Sequence, residues 1–113
     1  MRKPETNEDN VQMSDVLCDF CHGQWTDDIA MVEGHRGSAI CGKCLTVAYT
    51  DVVVEDHNSA QAGYKCTMCL ETREDNGWAS PVYEEAVICR RCLKLAGAIL
   101  QKDDMHVWQK PDA

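Results

Sequence analysis

The sequence predicts a small α+β fold stabilised by zinc, built as two tandem fingers that each contain a cysteine knuckle, a β-hairpin and a helix. Three observations carry this. Eight cysteines stand in four C-x2-C pairs, the pairs recur at a fixed interval, and large aromatic side chains are scarce, with one Phe, three Trp and three Tyr in 113 residues. A unit of roughly 40 residues seldom buries enough apolar surface to offset its chain entropy without a disulfide or a metal.

The interval defines the organisation. Nineteen residues separate Cys21 from Cys41, and nineteen separate Cys69 from Cys89. A shift of 48 positions lays all four cysteines of the first half on those of the second, with Asp27 on Asp75, Ile40 on Ile88, Leu45 on Leu93 and Ala48 on Ala96. The division that follows is a loosely ordered tail over 1–14, a finger over 15–54, a linker over 55–63, a finger over 64–103 and a second tail over 104–113. Trp108 is the tail residue equipped to dock.

Each finger opens with a knuckle. Cys18-Asp-Phe-Cys21-His-Gly reads as a tight turn, with Gly23 suited to its left-handed position. Ile29–Val32 and Ser38–Ile40 then form a hairpin broken by Gly34-His-Arg-Gly37. In the second finger the break is Asp75-Asn-Gly77, with Val82–Ile88 as the returning strand. The second pair of each finger opens a helix. After Cys41 the apolar residues Leu45, Ala48, Tyr49, Val52 and Val53 follow helical spacing. After Cys89, Leu93, Ala96 and Leu100 keep the stripe, with Gly97 in the Tyr49 position, while Leu95 and Ile99 make another side apolar.

Two thiolates separated by two residues grip one tetrahedral ion, because the intervening turn aims both sulfurs at one point. Two knuckles complete a structural zinc shell. The expected ligands are Cys18, Cys21, Cys41 and Cys44 at one site and Cys66, Cys69, Cys89 and Cys92 at the other, giving two zinc ions per chain. Spacing alone also permits cross-brace pairing; the repeat favours sequential sites. A rubredoxin-like iron site lacks its usual Pro and Gly neighbours here. Haem attachment at Cys18-x-x-Cys21-His22 finds no counterpart at Leu70, and a thioredoxin-type motif lacks its βαβ context. Four sulfur ligands leave no open position for catalytic water. His22, His35, His57 and His106 share no ligand spacing and read as solvated side chains.

No apolar run is long enough to span a membrane, and Met1–Ser14 lacks the apolar core of a secretory signal. The cysteines are therefore read as reduced and the protein as cytoplasmic. The formal net charge is −8, to which eight thiolates and two divalent ions add a further −4. Such a field repels phosphate backbones, so nucleic acid is an unfavoured partner. The charge is uneven: residues 16–63 carry two basic and seven acidic side chains, and 64–103 carry six of each. A basic patch could form only in the second half, from Arg90, Arg91 and Lys94, and those residues define the alternative reading as a nucleic-acid-binding tandem finger.

The segment Val16-Leu-Cys-Asp-Phe-Cys-His-Gly23, followed by Gly37-Ser-Ala-Ile-Cys-Gly-Lys-Cys-Leu45, resembles the N-terminal zinc-binding domain of the bacterial ClpX unfoldase. The second copy keeps Cys66-Thr-Met-Cys69 and Val87-Ile-Cys-Arg-Arg-Cys-Leu93, with Met68 in place of the aromatic. The loop between knuckles is one residue longer than is common in that family, and no G-x-x-x-x-G-K-[ST] phosphate loop exists in the chain. The resemblance implies treble-clef-like fingers, the eight cysteines as structural zinc ligands, Phe20 as a packing residue, dimerisation, and recognition of adaptor or substrate proteins. Two copies in one chain would then pack as a pseudo-dimer within a monomer, or the chain would form a homodimer. The function expected is a non-catalytic module for binding an unidentified protein partner, with Trp25, Trp78, Tyr83, Leu95 and Ile99 as candidate surface. No Ser/His/Asp constellation or paired-carboxylate context suggests an enzyme.

Overall fold

The computed structural model describes residues 1–103 and 108–111. Its elements are β1 (Met31–Glu33), β2 (Ala39–Cys41), α1 (Gly42–Tyr49), β3 (Tyr64–Lys65), β4 (Thr72–Arg73), β5 (Gly77–Ala79), β6 (Val87–Cys89) and α2 (Arg90–Gln101). The strands form three antiparallel two-stranded sheets, β1–β2, β3–β4 and β5–β6. The third cysteine of each half ends a strand and stands at the N-cap of the following helix, with Cys41 also accepting the Cys44 N–H, so one residue sets both the hairpin and the helix start. The helix α1 runs on into a wider π-type turn over Thr50–Val54. Leu45, Ala48, Tyr49 and Val52 are buried on the first helical face, and Leu93, Ala96, Gly97 and Leu100 on the second.

The knuckles close through His22 N–H on the Cys18 carbonyl (2.7 Å) and Leu70 N–H on the Cys66 carbonyl (2.8 Å). That closure puts the left-handed residue at His22 (φ 62°) and Leu70 (φ 65°), one position before the expected Gly23. A side chain in this conformation costs about 1 kcal/mol. The i to i+4 bond and the converging sulfurs hold it there in both halves.

The second hairpin departs from expectation. Asp75-Asn-Gly77 is not its turn: Gly77 begins β5, pairing with Cys89, while Trp78 pairs with Ile88 and Ala79 with Val87. Val82 lies in the connecting loop, 69% exposed, and the returning strand is only Val87–Cys89. The Asn-Gly signal misled because Gly77 serves a close approach. A Cβ there would stand 2.8 Å from the Tyr64 ring. The halves also differ in register. Gly42 N–H bonds the Ala30 carbonyl (2.9 Å) and Arg90 N–H bonds the Asn76 carbonyl (3.1 Å). Ala30 thus corresponds to Asn76, two residues out of step with the cysteines, and the Asp27–Asp75 match is not a structural equivalence.

The halves interlock. Helices α1 and α2 meet where the repeat equates Tyr49 with Gly97, and a Cβ on Gly97 would lie 3.1 Å from the Tyr49 ring. Two bulky residues at these related positions would collide; a ring over a glycine fits. The hairpin tips reach across as well. His35 N–H donates to the Met68 carbonyl (2.9 Å). At the related position in the other tip stands Pro81, which has no N–H. There the buried Ser80 hydroxyl donates to the Phe20 carbonyl instead (2.6 Å). The radius of gyration, 13.5 Å, matches the roughly 13 Å expected of one compact body of this length.

Segments read as loose make specific contacts. Arg2 bridges to Val16, and the Met1 amino group meets the Leu17 carbonyl (2.7 Å) and Asp19 (2.8 Å). In the linker, Ser59 N–H bonds the Gly77 carbonyl (3.0 Å). Asn58 accepts from Gly77 N–H and Ser59 from Ala79 N–H, both at 2.9 Å, so this stretch covers the outer edge of β5. The Trp108 indole N–H reaches Thr46 Oγ1 (2.9 Å) and the Gly42 carbonyl (3.3 Å), and its ring meets Tyr49 edge-on at 6.2 Å. No helix among the described residues is long and apolar enough to cross a membrane.

Candidate metal centres

Each knuckle delivers two sulfurs, and the strand–helix junction of the same half delivers two more. Cys18, Cys21, Cys41 and Cys44 converge with all Sγ atoms within 4.8 Å of one another, and so do Cys66, Cys69, Cys89 and Cys92. The pairing is sequential. The sulfur separations are 3.7 Å for Cys21–Cys41, 3.8 Å for Cys66–Cys92 and 4.0 Å for Cys69–Cys89. A tetrahedral zinc–thiolate shell with bonds of about 2.3 Å requires sulfur separations of roughly 3.8 Å. A disulfide requires about 2.05 Å, and all eight cysteines are free. The donor set and its spacing therefore fit one zinc ion per cluster.

Backbone amides are aimed at the sulfurs. Phe20 and Cys41 N–H donate to Cys18 Sγ (3.4 and 3.3 Å), Gly23 N–H to Cys21 Sγ (3.4 Å) and Cys44 N–H to Cys41 Sγ (3.5 Å). Cys89 N–H repeats the pattern on Cys66 Sγ at 3.4 Å. Such donors temper the excess negative charge of a four-thiolate shell. A second tie fixes each knuckle to its hairpin: Asp19 accepts the Ala39 N–H (2.7 Å) as Thr67 accepts the Val87 N–H (3.0 Å).

Crowding four thiols separates their acidities. Hydrogen bonds from Cys18 and Cys44 pull Cys41 down to about 3, and pairing with Cys18 and Cys41 pushes Cys44 far up. In the second cluster Cys89 and Cys92 hold Cys66 far below the usual thiol range. Bonding to Cys66 sends Cys92 far up and Cys89 up to about 11. A favoured thiolate among neighbours that keep their protons is the metal-free state, and a divalent ion displaces those protons. The Arg73 guanidinium is held above its ordinary range, chiefly by the neighbouring Cys89 sulfur and then by Asp75.

Comparison with family models, with characterised proteins and with solved structures finds no match for this chain.

The other expected site residues scatter. Trp78 is no surface residue: it is 7% exposed and its ring lies 5.7 Å from Phe20. Its place opposite Ile88 in the hairpin turns it inward. Trp25 and Tyr83 are half-buried, and Tyr83 stacks on His22 at 3.6 Å, so His22 is a packing residue rather than a solvated one. Leu95 and Ile99 are 53% and 57% exposed. Arg90 faces Asp56 (3.4 Å) and Arg91 faces Glu71 (3.9 Å), while Lys94 lies beside them at a shallow depression shared with Asp75. His35 and His57 are exposed, and His106 lies outside the described residues. Sequence reasoning missed a third group, Asp51, Glu55 and His57. Here His57 Nδ1 meets Asp51 Oδ1 at 3.0 Å, a contact that ties the linker to the π-type turn after α1.

Proposed function

We propose that this chain is a non-catalytic, zinc-stabilised module that binds an extended segment of a partner protein along the outer edge of β1. One observation carries the reading. In β1–β2, the bonded pairs fall at Ala30, Val32 and Gly34, so the backbone groups of Met31 and Glu33 point outward. They meet no hydrogen-bond partner among the described residues. The related edge of β5 is covered by Asn58 and Ser59. Among the described residues nothing equivalent lies on β1, the related positions His106 and Val107 falling outside them, and an open strand edge is a template for another strand.

The groove beside that edge supports the same reading. Val32, Glu33 and His35 form one wall, and Arg91, Leu95 and Ile99 the other. In the related groove, between β5 and α1, the positions of Leu95 and Ile99 are taken by Val47 and Asp51, with Glu55 nearby. Both grooves are mostly apolar; the β5 groove carries the acidic Asp51 and Glu55, and the β1 groove carries Arg91. Arg91, with Lys94 close by, favours a ligand carrying a carboxylate beside its apolar side chains.

The resemblance to the ClpX zinc domain suggested treble-clef-like fingers packed as an internal pseudo-dimer; the Tyr49–Gly97 contact and the crossed tips support that arrangement.

The test is selection of random peptides on the zinc-loaded protein, with amide shifts of Met31 and Glu33 as readout. Selected peptides should shift both amides and lose binding in Leu95→Asp/Ile99→Asp at unchanged zinc content. Peptides that ignore this variant would sink the reading. So would a gel shift at physiological salt that is abolished by Arg90→Ala/Arg91→Ala, which would point to nucleic acid.

A further inference from the structure

The two metal centres have the same ligands and different surroundings. In the second, Arg73, Arg90 and Arg91 flank the cysteines. The repeat and the matching strand bridges place Trp25, Gly42 and Lys43 at the related positions of the first. Three side-chain cations thus stand against one, Lys43, beside which the Met1 amino group pairs with Asp19. The neutral Thr67 of the second knuckle is the acidic Asp19 in the first. The arginines have carboxylate neighbours too, Arg73 meeting Glu71 and Asp75, Arg90 meeting Asp56 and Arg91 meeting Glu71. Access differs in the same sense: Cys21 is exposed and Cys44 half-buried, whereas Cys69 is the only ligand of the second centre that is not buried.

We propose that the first centre is an oxidant-responsive zinc–thiolate site, with Cys21 as the thiolate that reacts with hydroperoxides, while the second centre is purely structural. A four-thiolate shell is doubly negative, and its sulfurs stay nucleophilic unless cations or amides draw off the charge. The Cys21 thiolate attacks the peroxide O–O bond, forming a sulfenic acid and releasing hydroxide. Cys41, whose sulfur is 3.7 Å away, then attacks that sulfur and expels a second hydroxide. In sum, two thiolates, one hydrogen peroxide and two protons give one disulfide and two waters. Two of the four ligands are lost, and the ion is freed.

The consequence reaches the C-terminal segment. Trp108 is seated on the Gly42 carbonyl and Thr46, within the helical turn that carries Cys41 and Cys44. Loss of ligation there loosens the seat.

The experiment uses the full zinc-loaded chain and graded hydrogen peroxide. Ion release is read with a chromophoric chelator, thiol state by peptide mapping, and the Trp108 seat by the emission difference between the parent and Trp108→Phe. One of the two ions should leave first, together with a disulfide that includes Cys21, unmodified Cys66, Cys69, Cys89 and Cys92, and a change in Trp108 emission. Loss of the second ion first, or of both together, overturns the proposal. Arg73→Gln/Arg90→Gln, shown by native mass to retain two ions, should hasten release from the second centre. An unchanged rate would overturn the electrostatic basis of the asymmetry. Peroxide sensitivity and peptide binding are read separately, so either proposal can fail without the other.

Discussion

The two halves of this molecule solve one problem with different side chains. Each must cap the knuckle carbonyl of its neighbour from a hairpin tip. The first half uses a backbone amide, His35, and the second uses a hydroxyl, Ser80, because its next residue is Pro81. Each must also place a helix against its twin, and a ring in one half meets its absence in the other. The repeat is therefore conserved in geometry where it has drifted in sequence. Related positions have diverged in pairs, and the pairs complement one another.

The largest break in this comparison comes from the ligands. Cys18→Ser and Cys66→Ser each remove metal binding that contributes on the order of 10 kcal/mol to folding. Because the tips and helices are shared, the packing of both halves should loosen in either variant while the intact centre keeps its ion, measured by zinc per chain and amide dispersion. A variant keeping one ion and half its dispersed resonances would make the fingers independent.

Next is the helix seam. Gly97→Tyr should destabilise by about 3 kcal/mol through overpacking, and Tyr49→Gly by a similar amount through the cavity it leaves. The double exchange Tyr49→Gly/Gly97→Tyr should recover part of the sum, read from denaturant midpoints of the zinc-loaded protein. A strictly additive result would mean that the two positions do not share one space.

A smaller effect tests the tips. Ser80→Ala strands the buried Phe20 carbonyl and should cost about 1–3 kcal/mol, and adding Pro81→Ala, which supplies an amide, should return some of it. At the low end, Val82→Ser in the exposed loop should stay within about 0.5 kcal/mol. Zinc uptake should release protons, since Cys44, Cys89 and Cys92 hold theirs when metal-free. Apparent affinity should therefore fall as pH drops, checked by calorimetry in buffers of different ionisation enthalpy.

The metal ligands were legible because C-x2-C spacing is a direct statement of geometry, and the helices because their apolar period is held by one buried face. The second hairpin was not. Asn76-Gly77 has the chemistry of a turn, yet its glycine is required by the Tyr64 ring, a contact that no local pattern encodes. Trp78 was misplaced for a related reason: a large aromatic in a short strand faces inward or outward according to a register that here differs by two residues between the repeats. The left-handed residue escaped because Gly23 drew attention from His22, which ligand convergence and the knuckle bond hold in place. Leu95 and Ile99 were flagged correctly as lying off the buried stripe, but the edge of β1 beside them, uncovered among the described residues, shows only by contrast with its covered twin.

The seam has one more implication. Suppose the chain were cut between Asp56 and His57, leaving the strand-covering residues with the second fragment. Two first fragments would set Tyr49 against Tyr49, and two second fragments would leave Gly97 without the Tyr49 ring. Only unlike fragments bring that ring to the glycine. Mixed in solution with zinc, the two pieces should choose each other over themselves, a ready-made orthogonal heterodimer whose covalent connection sets local concentration rather than identity.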